Sequence, residues 1–340
     1  MPEPIKIEEV KERVILVGVS EQDGDDAEDS VAELAELVKT AGAVTVGTLI
    51  QKRELIHPGT YVGTGKVQEI ADMIAELGAT GIVCDDELSP AQLKNLEQML
   101  DTKVMDRTLI ILDIFATRAT TSEGKIQVEL AQLKYRLSRL TGLGRSMSRL
   151  GGGIGTRGPG EKKLEMDRRL IKDRIAQLNR ELKEVRKHRE ITRAQREKKQ
   201  IPVAAIVGYT NAGKSTLFNF ITQANVYAAD QLFATLDPTL RRLQIQDVGT
   251  AILADTVGFV RQLPHDLVSA FKSTLQETVE ASLLLHVIDA ADARKIENIE
   301  AVNLVLEEIK ADKVPALLVY NKIDLLENVT PHIEYDDENK

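Results

Sequence analysis

The sequence predicts an α/β protein in which two domains of alternating strands and helices flank an antiparallel helical hairpin. Three observations carry that expectation. Short β-branched runs alternate with amphipathic runs over residues 1–115 and again over 199–340, which is the rhythm of a parallel sheet covered by helices. Between them, residues 116–198 hold two apolar seams at heptad spacing. Finally, GYTNAGKS (Gly208–Ser215) lies between an apolar run and a helical run, the setting that a phosphate-binding loop requires.

With 340 residues, 43% of them hydrophobic and 29% charged, the chain can bury more than one core. Aromatic residues make up 4% and there is no Trp, which argues against stacking platforms for single-stranded bases. A single cysteine, Cys84, excludes an internal disulfide framework and reads as a small buried hydrophobe in a reducing compartment. No leader-like opening or membrane-length apolar run is present, so a cytoplasmic monomer with no membrane partner is expected. The net charge is −9, yet residues 125–199 carry 22 Lys/Arg against 9 Asp/Glu. That segment is at +13 and the remainder at −22: one polyanion-facing arm between acidic domains.

The first domain opens with a strand, RVILVGVS. SVAELAELVKTAG follows as a helix, with Ser30 as its N-cap and Gly42 beyond its end. VTVGTLI is a second strand and KVQEIADMIAELG a second helix. TGIVCDD then reads as a strand, and SPAQLKNLEQML as a helix with Pro90 at its first position.

In the hairpin, Ile126, Leu130, Leu133, Leu137 and Leu140 are spaced 4, 3, 4, 3, and Ile171, Ile175, Leu178, Leu182 and Val185 repeat that spacing. Both seams are core, without chemistry. The stretch between the helices, Gly142–Gly160, holds eight glycines in 19 residues. Arg145, Arg149 and Arg157 accompany them, with no carboxylate until Glu161. Glycines permit close backbone approach, and arginines pair with phosphates or stack on bases, so this tip suits structured RNA.

RAQREKKQ marks the boundary to the last domain. VAAIVG, TAILAD, LLLHVID and PALLVYN read as strands; helices are expected from Lys214, over LVSAFKSTLQETVEA and over ENIEAVNLVLEEI. In the loop Gly208, Tyr209, Thr210, Asn211, Ala212, Gly213, Lys214 and Ser215, backbone N–H groups cradle phosphate oxygens at a helix N-terminus. Lys214 adds a point charge on the β and γ phosphates, and Ser215 offers its hydroxyl to Mg²⁺. Asp255, ending a strand, supplies the metal-side carboxylate, acting through water. It is followed by Thr256, Val257 and Gly258, the last bringing its N–H to the γ phosphate. Beyond another strand come Asn321, Lys322, Ile323 and Asp324. An aspartate accepts from both the N1–H and the amino group of guanine, which adenine lacks, so GTP is selected over ATP.

FATLDPTLRR, DTVGF and NKID, with the phosphate loop, resemble a translation-factor-related GTPase. GGIGTRGPGE and YAADQLFATLDPT are similar to the HflX family over nearly the whole chain. The resemblance implies a P-loop GTPase domain and a cytoplasmic GTPase that binds the large ribosomal subunit and splits or rescues stalled ribosomes. It implies that the Gly142–Glu161 tip approaches rRNA near the peptidyl-transferase centre. It also implies that Phe233, Ala234, Thr235, Leu236 and Asp237 form the effector-loop contact, with Thr235 joining Ser215 on Mg²⁺. The catalytic group is then Lys214, Thr235 and Gly258, with GTP and GDP as substrate and product. Two other readings compete: a GTPase in another RNA task such as tRNA modification, and a nucleotide-gated RNA-binding module with negligible turnover.

Four features depart from that pattern or distract from it. YVGTGK (Tyr61–Lys66) reads as a glycine turn into a helix rather than a second phosphate loop, because no Ser or Thr follows the lysine. The five histidines form no metal-spaced cluster, so no zinc is expected. Phe259 stands where many GTPases carry a water-orienting glutamine, which predicts slow hydrolysis alone and stimulation by the ribosome. Only 16 residues follow Asp324, so a last strand, base-covering loop and helix of the domain are expected to be lacking.

Overall fold

The computed structural model describes residues 11–20, 26–147, 159–198, 201–223, 231–247, 249–261, 275–327 and 329–334. Compactness divides the chain into two units: Met1–Thr117 with Val128–Glu181, and Arg118–Gln127 with Leu182–Lys340.

The first unit is built on a four-stranded parallel sheet. Its strands are β1 (Arg13–Ser20), β2 (Val44–Lys52), β3 (Gly81–Cys84) and β4 (Lys103–Asp106), in the order β2-β1-β3-β4. The helices are α1 (Ala27–Thr40), α2 (Thr64–Leu77), α3 (Pro90–Leu100) and α4 (Arg107–Arg118). Ile15, Val17, Ile70, Ile82 and Cys84 are core residues, and burial pushes the Cys84 thiol well up. Expected helix ends are met at α2, where Gly78 closes at φ 60. At α3, Ser89 and Gln92 form a reciprocal capping box behind Pro90.

One expectation is corrected in this unit. Helix α1 starts before Ser30, with Asp26 at its N-cap; the Ser30 hydroxyl accepts from Arg107 at 2.9 Å instead of capping. Strand β4 and helix α4 carry no clear signal in the sequence. KVMD is only four residues long, and α4 buries most of its length, so it shows no polar face to mark a helical period.

The carboxyl ends of β3 and β4 are joined by charge. Arg107, 2% exposed, pairs with Asp85 at 2.7 Å and Glu33 at 2.9 Å. Asp106 is fully buried and accepts from the Tyr135 hydroxyl at 2.7 Å, from the Leu88 and Leu109 amides, and from Arg139.

Tyr135 and Arg139 belong to α5 (Ser122–Met147), the first hairpin helix; α6 (Pro159–Lys198) is the second. Seam residues Leu130, Leu178 and Leu182 are buried, and Arg174 of α6 grips Glu129 of α5 with two hydrogen bonds of 2.7 and 3.0 Å. The tip is shorter than expected. Helix α5 runs through Gly142 and Gly144 to Met147, and α6 begins at Pro159. Arg145 therefore lies in α5, while Arg149 and Arg157 lie outside the described residues. None of the described helices is long and apolar enough to cross a membrane.

The second unit contains β5 (Val203–Gly208), β6 (Thr239–Ile245), β7 (Gly249–Asp255), β8 (Leu283–Asp289) and β9 (Ala316–Asn321), ordered β6-β7-β5-β8-β9. All pairs are parallel except β6 on β7. Its helices are α7 (Lys214–Thr222), α8 (Gln276–Val279) and α9 (Lys295–Glu308). Most of the expected helix over LVSAFKSTLQETVEA lies outside the described residues. Parallel pairing brings Gly208, Asp255, Asp289 and Asn321 to one carboxyl edge of the sheet, where open α/β sheets bind ligands.

Candidate functional site

The central strand β5 runs directly into the phosphate loop. Gly208 ends it at φ 146, and Gly213 precedes α7 at φ 92. A Cβ on Gly208 would overlap the Val287 carbonyl, and one on Gly213 the Asn321 amide, so both positions exclude side chains. Lys214 opens α7, 6% exposed, and its Nζ donates to the Tyr209 carbonyl at 2.7 Å. Burial lowers its pKa to about 8, against the opposing pull of Asp255.

Beside the lysine, three oxygen groups converge. Ser215 Oγ and Thr235 Oγ1 lie 2.8 Å apart, and both donate to Asp255 Oδ2, at 2.8 and 3.0 Å. The other oxygen of Asp255, Oδ1, is buried with no hydrogen-bond partner among the described residues. Burial raises the Asp255 pKa, with Ser215, Lys214 and Thr235 pulling against it. Two hydroxyls and a carboxylate with an orphaned oxygen suit a hard, oxygen-seeking cation.

One cleft is walled by Thr210, Asn211, Gly213, Lys214, Ser215, Gln231, Phe233, Ala234, Thr235, Thr256 and Gly258. It thus gathers the phosphate loop, the loop that carries Gln231, Phe233, Ala234 and Thr235, and the turn after β7. A Cβ on Gly258 would stand 2.9 Å from Lys214 Nζ and 2.7 Å from Thr210 Cγ2, so only glycine brings the backbone this close to the lysine. Thr256 donates to the Ile206 carbonyl at 2.6 Å, tying the turn to β5, and Val257 is buried.

Several expected residues stand elsewhere. Asn321 acts from outside the cleft wall: its amide donates to the Ala212 carbonyl at 2.9 Å, locking strand β9 to the phosphate loop. Lys322 pairs with Asp289 at 2.7 Å, and Ile323 and Asp324 follow in a 3₁₀ turn with Asp324 exposed. Tyr209 is off the wall as well; its hydroxyl accepts from the Arg261 amide at 2.9 Å. Leu236 is buried. Asp237 faces Thr120 and Thr121, both of whose amides and hydroxyls donate to its carboxylate at 2.6–2.8 Å. Burial would raise its pKa, but these hydrogen bonds outweigh it and hold the carboxyl below its ordinary value. Sequence reasoning missed this pairing and the place of Gln231, since no local pattern links residues more than a hundred positions apart.

Phe259 is wholly buried, in the core with Val207, Ala254 and Leu275. Its N–H donates to Gly208 and its carbonyl accepts from Thr210, at 3.2 and 2.7 Å. In the first unit, YVGTGK is a helix entry: Gly63 caps α2 and Lys66 pairs with Glu69 at 2.6 Å.

A phosphate loop following the central strand, with β6 antiparallel at the sheet edge, places the second unit among the P-loop GTPases. Three family descriptions match in succession: GTP-binding GTPase N-terminal over 28–116, GTP-binding GTPase Middle Region over 118–196, and 50S ribosome-binding GTPase over 203–322. The GTPase HflX of Lacrimispora saccharolytica is 62% identical, over 95% of this chain and 77% of its own length. That of Escherichia coli is 56% identical, over 97% and 77%. The chain belongs to the HflX GTPase family, and it is a GTP hydrolase. Among solved structures, the SsGBP and GDP complex is similar at a TM-score of 0.52 and 27% identity, covering 93% of this chain and 84% of that one.

Proposed function

We propose that this GTPase acts on the large ribosomal subunit, splitting or rescuing stalled ribosomes. Residues 1–115, 116–198 and 199–340 would serve as N-terminal, hairpin and GTPase parts in the cytoplasm. The observation that carries the reading is a phosphate-loop cleft in the same compact unit as the root of a +13 hairpin. The 50S ribosome-binding description matching 203–322 supports the choice of subunit. In this reading the Gly142–Glu161 tip meets rRNA near the peptidyl-transferase centre.

Lys214 and the loop amides hold the β and γ phosphates, and Gly258 presents its N–H to the γ phosphate. Asp324 selects guanine. Ser215 and Thr235 would hold Mg²⁺, with Asp255 contributing through water; the cation would neutralise charge on the transferred phosphoryl group. The nucleophile is water. Phe259 is turned into the core and offers no group to orient it, so turnover alone is slow and rises when the large subunit orders the site.

The test is steady-state GTP turnover and co-sedimentation with purified large subunits, with GDP and with a non-hydrolysable GTP analogue. We expect analogue-dependent sedimentation and at least tenfold stimulation, the scale of a single transition-state interaction. Fast turnover unaltered by ribosomes, or sedimentation indifferent to nucleotide, overturns the reading.

A further inference from the structure

The contact between the effector loop and the hairpin root has no role in phosphate chemistry, yet it is built with care on both sides. Asp237 accepts four hydrogen bonds, from the amide and hydroxyl of Thr120 and of Thr121. The Thr121 hydroxyl also accepts from the Gly124 amide at 2.9 Å, in the first turn of α5. A Cβ at Gly124 would overlap the Asp237 carboxylate, so the helix has been left bare where the loop arrives. A further hydrogen bond joins Arg118 to Gln231, which lies in the cleft wall. Two residues before Asp237 stands Thr235, hydrogen-bonded to Asp255 and within reach of Ser215.

We infer that the hairpin root is a positioning element of the nucleotide site: Thr120 and Thr121 hold Asp237, and through it Thr235, against Ser215 and Asp255. The same joint reports the nucleotide to the hairpin. One intervening residue, Leu236, separates the anchored threonine from the anchored aspartate, and it is buried, so the loop has little slack. When a γ phosphate holds Thr235, Asp237 is presented to the root; when the loop is released after hydrolysis, Thr120 and Thr121, which lead into α5, lose their four bonds. Because α5 is one continuous helix from Ser122 to Met147, a change at its root is carried along its axis. Coupling of this kind is reciprocal: whatever favours the engaged root favours Thr235 in place.

This inference rests on the nucleotide site alone and is independent of the ribosomal reading, so its test uses no ribosomes. Amide hydrogen exchange over residues 118–127 is measured in the full chain saturated with GDP and with a non-hydrolysable GTP analogue. The wild-type segment should exchange about tenfold more slowly with the analogue, the scale of one lost net hydrogen bond. Asp237→Ala should abolish that difference, and so should the Thr120→Val, Thr121→Val double variant, which acts from the other side. The threonine variant should keep GDP affinity within about twofold while its kcat falls. Adding Asp237→Ala to it should change little more, as expected for groups in one contact. A wild-type segment indifferent to the γ phosphate, or a nucleotide dependence that survives in both variants, overturns the inference.

Discussion

His286 lies on β8 with its ring buried, 3% exposed, and nothing in its LLLHVID context marks it as different from its apolar neighbours. Burial, and then the nearby Lys214 charge, lower its pKa to about 4. The folded protein therefore prefers the neutral ring, while the unfolded chain binds a proton near pH 6.5. Stability contributed by the neutral ring is present above pH 6.5 and is lost as pH falls towards 4. At pH 5 the loss is on the order of 2 kcal/mol. His286→Leu should remove that part of the acid sensitivity, so the urea midpoint of the wild type should fall further between pH 7.5 and pH 5 than that of the variant. Equal acid shifts in both proteins would show that His286 is not the group responsible. At this scale the phosphate loop was legible because its chemistry depends on spacing within eight residues. The partners of Asp237 and the burial of Phe259 were not, because each depends on residues that the fold brings from far along the chain.

Helix α4 follows β4 without a loop, and its first residue, Arg107, carries most of the charge that holds those elements together. Desolvation alone would lower the guanidinium pKa; Asp85 and Glu33 outweigh it and keep the group charged. Arg107→Ala would leave two carboxylates near the strand ends without their cation. Breaking a buried pair from one side costs about 3–5 kcal/mol, so the variant should lose stability of that order in urea unfolding. Arg107→Met should recover some packing but not the charge. A loss below about 1 kcal/mol, within the range of exposed pairs, would mean that the network is not load-sharing. Elements with a strong period or a cap were readable in advance, as α3 shows through Ser89 and Pro90. β4 is too short to show a period, and the start of α1 is obscured because Ser30 resembles a cap while its hydroxyl serves Arg107. The glycines at 142 and 144 suggested a loop, yet the helix continues through them, since glycine weakens a helix by only about 1 kcal/mol per residue.

For the whole molecule, the separation of charge outweighs the net value. A −9 chain with a +13 segment should bind polyanions through that segment and be repelled elsewhere. On large subunits, Arg145→Ala, Arg149→Ala and Arg157→Ala together should weaken binding and flatten the plot of log affinity against log salt. Each lost phosphate contact should remove a slope of about 0.7–0.9. Unchanged affinity and slope would refute the tip as the RNA contact. The alternation of strands and helices on either side of a twin heptad made the α/β and hairpin architecture visible in sequence. How the chain divides into compact units was not visible, because Arg118–Gln127 pack with residues made much later.

That last arrangement also sets an order of assembly. Thr121 precedes Asp237 by 116 residues, so at about 5–20 residues per second it leaves the synthesising ribosome on the order of ten seconds before its partner. The strands and helices of the first unit can pair locally in that interval, whereas the root of α5 has to wait. A nascent chain arrested before residue 237 should therefore carry a Thr120–Thr121 pair whose amides and hydroxyls still lack their aspartate. The switch becomes wired to its arm only after the effector loop has been translated.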